Sequence, residues 1–168
     1  KRIILIDAGH GGKDAGAKAG DYHEKDITLK TAQFVKSMFR SDNTEIILSR
    51  NDNSAPSLAE RTELINKVNP DMVISLHTNF AAKANDKKGA EIFYADNKVS
   101  TKMAAKLAEK FNNCPVSTQN LHLLKNSKSP IVILEMGYMS NAEDLQFLSS
   151  ENGQRENKRK IINFINEN

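Results

Sequence analysis

Three side chains that can bind metals or carry protons follow directly on short apolar runs. The first run leads through Asp7, Ala8 and Gly9 to His10. His77 ends a later run, and Glu135 ends the last one. Glu24 stands in the stretch that leads into the first predicted helix. Ligands of open α/β sheets bind in the crevice outside the carboxyl ends of the strands. If the three runs are neighbouring parallel strands, these four side chains converge there, and two imidazoles with two carboxylates suit zinc.

Each of these residues has a simpler interpretation when it is taken alone. His10 could be a hydrogen-bonding turn residue, His77 could be a satisfied core histidine, and Glu24 could be a surface or capping carboxylate. Glu135 is harder to explain, because a carboxylate that ends an apolar strand is costly to bury unless it is paired, metal-bound or catalytic. His23 competes with Glu24 as a ligand, and the chain has no HExxH motif that would fix the set.

The elements that must position these residues alternate along the chain. Apolar runs bounded by Gly or Pro predict strands, and apolar stripes that follow capping residues predict helices. The predicted strands are Ile3–Ile6, Glu45–Leu48, Met72–Leu76, Glu91–Tyr94 and Ile131–Leu134, with Leu121–Leu124 as a weaker candidate. The predicted helices are one capped by Asp26, Ser57–Val68, Ser100–Phe111, one that runs from a Ser140/Glu143 capping box to Leu148, and a last one over Gly153–Ile165. We therefore predict an α/β fold, a three-layer α/β/α arrangement around a mixed, mostly parallel sheet of about six strands.

Length and composition favour one domain and argue against several functional classes. The chain has 168 residues, 39% of them hydrophobic, which is enough for one core, so we predict a single catalytic domain over residues 1–168. A net charge of +3 and an aromatic content of 6% give little support for nucleic-acid binding. Cys114 is the only cysteine, which excludes a cysteine-rich zinc site. The glycine-rich stretch Gly9–Asp14 is not a phosphate loop, because Asp14 stands where a hydroxyl is needed.

Several segments of the chain occur in an order that is specific when they are taken together. They are Ile6–Ala17, Glu24–Asp26, Leu48–Arg50, Leu58–Arg61, Ser75–Asn79, Gly89–Glu91 and Leu134–Asn141. This set resembles the motifs of the zinc-dependent N-acetylmuramoyl-L-alanine amidases of the amidase-3 type, bacterial enzymes that trim peptidoglycan. The resemblance covers almost the whole chain. The chain departs from it at Ala8, where the family usually has proline, and at Lys125, where arginine is common.

The resemblance implies a role for each residue of the predicted site. His10, Glu24 and His77 would hold one Zn²⁺, with Glu24 rather than His23 as the second ligand. Glu135 would be the catalytic glutamate. The implied substrate is the amide that joins the lactyl group of N-acetylmuramic acid to L-alanine of the stem peptide.

Further expectations concern substrate contacts, partners and location. Asn79, Lys125 and Arg61 are candidate substrate contacts. Peptidoglycan is the expected partner and nucleic acid is not, while an activator protein and wall-binding or membrane-anchoring segments outside this chain could contribute. The implied location is extracellular or in the cell envelope, either the periplasm or the cell wall.

Two other functions are left open by the sequence. A zinc carboxypeptidase or aminopeptidase could share the scaffold, with Lys125 or Arg61 fixing the terminus of its substrate. A wall-binding module with a dead site would not need the intact ligand set and Glu135. The link from Tyr94 to Ser100 is too short for the inhibitory helix that some relatives insert there, so we expect an open cleft. His122 is expected on a solvent-facing strand or at the rim of the cleft.

Overall fold

A mixed sheet of six strands forms the centre of the computed structural model, which describes all 168 residues. The strands in chain order are β1 Arg2–Ala8, β2 Lys18–Ala19, β3 Tyr22–His23, β4 Thr44–Leu48, β5 Met72–Asn79, β6 Glu91–Tyr94, β7 Val116–Thr118 and β8 Ile131–Tyr138. The order across the sheet is β4-β1-β5-β8-β6-β7, and β2 pairs with β3 in a separate hairpin. Strands β1, β4, β5 and β8 run parallel, whereas β6 and β7 run in the opposite direction. The predicted mixed, mostly parallel sheet is confirmed.

Six helices cover the two faces of this sheet. They are α1 Glu24–Met38, α2 Leu58–Val68, α3 Lys98–Lys110, α4 His122–Asn126, α5 Ala142–Ser149 and α6 Glu151–Glu167. Helices α1, α3, α5 and α6 contribute to the larger core on one face, and α2 and α4 contribute to a smaller core on the other. The three-layer prediction is therefore confirmed. Each helix is too short or too polar to cross a membrane.

The central strands are apolar on both faces because helices cover both faces. In β5, Ile74 and Leu76 belong to the larger core, while Val73 between them belongs to the smaller one. This alternation explains why parallel strands in such sheets read as continuous apolar runs. It also decides which face a polar residue at the end of a strand joins. His77, two residues along from Ser75, lies on the face of the smaller core.

Two predicted helix starts are wrong. Helix α1 begins at Glu24 with His23 at the N-cap, so Asp26 lies inside the first turn and does not cap the helix. Helix α5 is capped by Asn141, whose side chain accepts from the Asp144 N–H, and not by a box of Ser140 with Glu143. The Ser140 hydroxyl instead accepts a hydrogen bond from the Ala81 N–H at 2.8 Å.

The predicted strand Leu121–Leu124 is also wrong, because this segment begins helix α4. Leu123 and Leu124 are both buried, at 3% and 5% exposed. A strand would send these consecutive side chains to opposite faces, whereas a helix turns both towards the smaller core. A run of four apolar or amphipathic residues is too short for its period to separate the two possibilities. The prediction of a helix over Ser57–Val68 is confirmed to within one residue, with Ser57 as its N-cap.

The connection from β5 to β6, residues 80–90, crosses the carboxyl end of β8. It is held to the segment after β8 by four hydrogen bonds, including those of the Ala81 N–H to Ser140 and the Gly89 N–H to Asp144 Oδ2. The other two run from Asn141 Nδ2 to the carbonyl of Asn85 and from Lys88 Nζ to Glu143 Oε2. This connection stays on the edge where the parallel strands end. We refer to residues 80–90 as the rim loop.

Candidate metal site and general base

The structure brings the three predicted ligands together at the carboxyl edge of the sheet. His10 lies in the loop after β1, Glu24 is the first residue of α1, and His77 lies near the end of β5. Glu24 Oε2 lies 3.1 Å from His10 Nε2 and 3.2 Å from His77 Nδ1. One ligand atom from each residue lies within 4.8 Å of the others.

The Glu24 carboxylate is buried and anchored on both oxygens. Oε1 accepts from the Ala17 N–H at 3.0 Å, and Oε2 accepts from the Thr78 N–H at 2.8 Å. Burial alone would raise the pKa of Glu24, but the hydrogen bonds from His10, His77 and the Ala17 N–H hold it far below its ordinary range. Glu24 is therefore an anion that is fixed in place between two imidazoles.

The site fits a zinc ion in chemistry and in space. Two imidazole nitrogens and one carboxylate oxygen are a normal catalytic zinc set, which leaves a coordination position open. Gly9 and Gly16 provide the room: a Cβ on Gly9 would lie 2.5 Å from the His77 ring, and one on Gly16 would lie 2.6 Å from Glu24 Oε1. His23 does not join the cluster, since its nearest acidic partner is Asp26, at 3.7 Å.

The protonation of His10 bears on metal binding at this site. Burial would lower the pKa of His10, but the Glu24 and Asp14 carboxylates outweigh burial and raise it to about 9. A metal binds the neutral imidazole, so it must displace this proton. The affinity for a divalent ion should therefore rise with pH across the neutral range.

Glu135 is a neighbour of the predicted ligands. It is paired in register with His77 across the β5–β8 ladder. Its Oε2 atom is buried and has no hydrogen-bond partner. Burial raises its pKa to about 7, with Glu24 and Glu91 adding to the rise and His77 opposing it. A carboxyl group that is poised near neutral pH can both accept and return a proton.

Two buried arginines hold the loop that carries His10. Arg61 donates from Nη1 to Asp7 Oδ1 at 2.6 Å and from Nη2 to the carbonyl of His10 at 2.6 Å. Arg50 donates to the carbonyls of Ala8 and Gly9 at 2.9 and 3.0 Å. The loop needs this support because His10 has a φ of 66°, in the left-handed region that a non-glycine residue seldom adopts.

A cavity of about 480 Å³ extends from the metal ligands. The lining of this cavity includes His10, His77 and Glu135, together with Leu58 of α2 and His122 of α4. The prediction that His122 lies at the rim of the cleft is confirmed, although the residue belongs to a helix and not to a strand. The expected absence of an inhibitory helix after β6 is also confirmed, since residues 95–97 join β6 directly to α3.

The three candidate substrate contacts lie in different surroundings. Asn79 is at the end of β5, with its Nδ2 3.5 Å from Glu91 Oε1. Arg61 lines the cavity, but its guanidinium is occupied by protein oxygens. Lys125 lines a separate cavity that shares no residue with the first. Substrate contact by these residues stays a prediction.

Three residues near the site, Asp14, Arg50 and Glu91, had no predicted role. Asp14 Oδ2 lies 2.9 Å from His10 Nδ1, and Glu91 is paired in register with Glu135. The available signal for Asp14 was a carboxylate four residues after a candidate ligand within a glycine-rich loop. Arg50 follows a strand in a family motif, but its contacts to backbone carbonyls depend on a loop conformation that no pattern predicts.

The fold and the site define a class of protein. It is an α/β domain with a His–Glu–His cluster able to hold a divalent metal, next to a carboxyl group able to exchange protons. The family model for N-acetylmuramoyl-L-alanine amidases matches residues 4–167. The chain therefore belongs to the amidase-3 family of N-acetylmuramoyl-L-alanine amidases, which are hydrolases of the bacterial cell wall.

Known proteins agree with this assignment. The germination-specific N-acetylmuramoyl-L-alanine amidase of Bacillus subtilis is 30% identical over 169 residues, which cover 88% of this chain and 71% of the relative. The catalytic domain of the amidase CwlV from Bacillus (Paenibacillus) polymyxa is 27% identical and superposes with a TM-score of 0.94, over 99% of this chain and 97% of that one. The amidase CwlD of Clostridioides difficile, solved in complex with the GerS lipoprotein, is 28% identical with a TM-score of 0.92, over 99% and 98% of the two chains.

Proposed function

We propose that this chain is a zinc-dependent amidase that hydrolyses the bond between N-acetylmuramic acid and L-alanine in peptidoglycan. The observation that carries the proposal is the approach of His10, Glu24 and His77 to one point, with the unpartnered Glu135 carboxyl beside them. Family membership supplies the substrate class, and this geometry supplies the reaction type. Residues 1–168 act as one catalytic domain in this proposal.

The ligand atoms would be His10 Nε2, Glu24 Oε2 and His77 Nδ1, because these atoms face one another in the structure. A zinc ion held there would supply a Lewis acid that polarises the amide carbonyl and acidifies a water molecule. Glu24 is suited to its role because it stays ionised throughout the physiological range. Its two backbone hydrogen bonds also fix its orientation before any metal arrives.

Glu135 would act first as the base and then as the acid. Its carboxylate accepts a proton from the attacking water as the new C–O bond forms. The same proton then passes to the departing nitrogen of L-alanine as the C–N bond breaks, which leaves Glu135 ionised again. Such proton transfer by a positioned side chain is typically worth about 10²–10⁴-fold in rate.

The cavity beside the ligands suits a substrate that is partly apolar. Ala55, Pro56 and Leu58 line it around the start of α2, and Leu121 and Leu123 line it from α4. Methyl groups of the lactyl and L-alanine units can pack against such a surface. Asn79 ends the strand that carries His77, so its side-chain amide could bind a polar group of the substrate beside the ligands.

Location and partners follow from the substrate. Peptidoglycan lies outside the cytoplasmic membrane, so we place the active protein in the cell envelope or outside the cell. The CwlD amidase is found in a complex with a lipoprotein. We propose that this chain can likewise work with an activator, or with wall-binding or anchoring segments outside the sequence described.

Zinc content and product analysis together test the proposal. Elemental analysis should find one zinc per chain in the wild type and almost none in His77→Ala. His23→Ala is the matched control, because this histidine adjoins Glu24 but lies outside the cluster. Digestion of purified peptidoglycan should release stem peptides that begin with L-alanine. A zinc-loaded protein that instead trims single residues from peptide termini would be a peptidase, and one that binds walls without cleaving them would be an inactive module.

A further inference from the structure

Each histidine of the proposed metal site has one ring nitrogen near Glu24 and one that points away from it. The two histidines differ in the partner of this outer nitrogen. His10 turns Nε2 towards Glu24 and places Nδ1 2.9 Å from Asp14 Oδ2. His77 turns Nδ1 towards Glu24, and its Nε2 has no hydrogen-bond partner in the protein. Only His10 therefore has a carboxylate on its outer nitrogen.

The contact between His10 and Asp14 determines which nitrogen of His10 is free to bind a metal. An ionised carboxylate can only accept hydrogen bonds, so the Nδ1 atom must carry the proton when it contacts Asp14. Once His10 gives up its second proton, the lone pair is on Nε2, the nitrogen that faces Glu24. Carboxylates that hold a metal-bound histidine in this way fix both its tautomer and its ring orientation.

Asp14 is itself held in place by the turn that follows His10. Its backbone forms two hydrogen bonds with Gly11, from the Gly11 N–H at 2.8 Å and to the Gly11 carbonyl at 2.9 Å. Its second carboxylate oxygen, Oδ1, accepts from the Gly16 N–H at 3.1 Å. Both oxygens are thus occupied by different donors, and the carboxylate cannot rotate without losing one of them.

We propose that Asp14 is a positioning residue for the metal site, which presents His10 Nε2 to the ion by accepting a hydrogen bond from the His10 Nδ1–H. This inference rests on the proposed zinc site. Asp14 is exposed, so its place in the loop is not required to fill the core. It lines the cavity next to His10 and does not belong to the ligand set.

Asp14→Asn is the sharpest variant because it keeps the shape and removes one acceptor. The amide has a single oxygen for two donors, the Gly16 N–H and the His10 Nδ1–H, so one of them loses its partner. We expect a loss of about 10–100-fold in zinc affinity, the range seen when the outer partner of a metal-bound histidine is removed. Asp14→Ala should lose at least as much. Asp21→Asn, an exposed aspartate in the turn of the β2–β3 hairpin, is the control and should bind zinc like the wild type.

Zinc affinity is measured by competition with a chromophoric chelator, and the His10 Nδ1 proton is observed by NMR in zinc-loaded protein with ¹⁵N-labelled histidine. The wild type should show a hydrogen-bonded Nδ1–H resonance that Asp14→Ala lacks. A purely structural role would lower the melting temperature of the metal-free Asp14→Asn protein and leave the affinity unchanged. Equal zinc affinity of Asp14→Asn and wild type, or no protected Nδ1–H in the wild type, would overturn the inference. A wild type that binds no zinc would instead refute the proposed function.

Discussion

Replacing Arg61 by methionine breaks the buried ion pair with Asp7 and so measures how much that pair contributes to stability. Asp7 and Arg61 are 1% and 4% exposed, and the pair is joined at 2.6 Å. Arg61→Met keeps a long side chain but leaves the Asp7 carboxylate without its cation. It also removes the donors to the carbonyls of Ala8 and His10.

The expected cost is about 3–5 kcal/mol of unfolding free energy near neutral pH, because a buried charge loses its partner. We expect the lower end, since the Ser49 and Ser75 hydroxyls still donate to Asp7 at 2.7 and 2.6 Å. For a chain of this size, the whole range of about 3–5 kcal/mol corresponds to a fall of roughly 6–20 °C in melting temperature. Arg155→Met on α6 is the matched control, because its ion pair with Glu151 is exposed and should contribute only about 0–1 kcal/mol.

The stability difference between the wild type and Arg61→Met should depend on pH in a definite direction. In the wild type, burial raises the pKa of Asp7, but Arg61 and the two serines outweigh burial and hold the pKa below its ordinary 3.8. This stabilisation is present above the unfolded pKa and is lost as the pH falls through the folded one. Without Arg61 the largest cause that lowers the pKa of Asp7 is gone, so the folded pKa rises and the variant gains less stability than the wild type as the pH rises. The gap between the two proteins should therefore widen from about pH 4 towards about pH 7.

Urea unfolding of the metal-free proteins at these two pH values measures the gap. The double variant that combines Asp7→Asn with Arg61→Met should recover part of the loss, because no buried charge remains. A gap of equal size at both pH values would mean that the ion pair does not set the stability. So would a double variant less stable than Arg61→Met alone.

Two further predictions concern the site itself. Glu135→Gln should keep its zinc and lose about 10²–10⁴-fold in kcat; the wild-type rate should rise with pH through a midpoint at or below about 7, and the variant should lack this limb. Full activity of the variant would exclude the base role. Gly16→Ala should lose zinc, because its Cβ would lie 2.6 Å from Glu24 Oε1 and 2.7 Å from the His10 ring. Gly20→Ala also has a positive φ but meets nothing within 4 Å, so it should lose some stability and keep its metal; equal zinc loss in both would refute the steric argument.

The sequence was sufficient for the strands that form continuous apolar runs. Strand β6 was predicted at its observed bounds, and β5 and β8 were predicted except for their polar carboxyl ends. Those ends carry His77 and Glu135, so the chemistry lies just beyond the apolar pattern. Strand β7 was missed because its three residues, Val116–Thr118, lie on a sheet edge where no apolar alternation is needed.

The site was predictable as a set of residues but not as a set of contacts. Strand ends and motifs placed His10, Glu24 and His77 at one edge, and the structure brings them together. The role of Arg61 could not be predicted in the same way. Its partners are mainly backbone carbonyls, and one of them belongs to His10, which has a left-handed conformation. Such contacts depend on the path of the chain, which residue types alone do not encode.

The rim loop has a consequence for how this enzyme can diverge. It begins and ends on the edge that carries the proposed metal ligands, because β6 runs antiparallel to its neighbour β8. None of the metal ligands and no part of the β1–β5–β8 ladder belongs to it. Residues 80–90 also lie outside the lining of the cavity beside the proposed ligands. Exchange of this one connection between relatives should therefore leave metal binding intact while it changes the surface around the site.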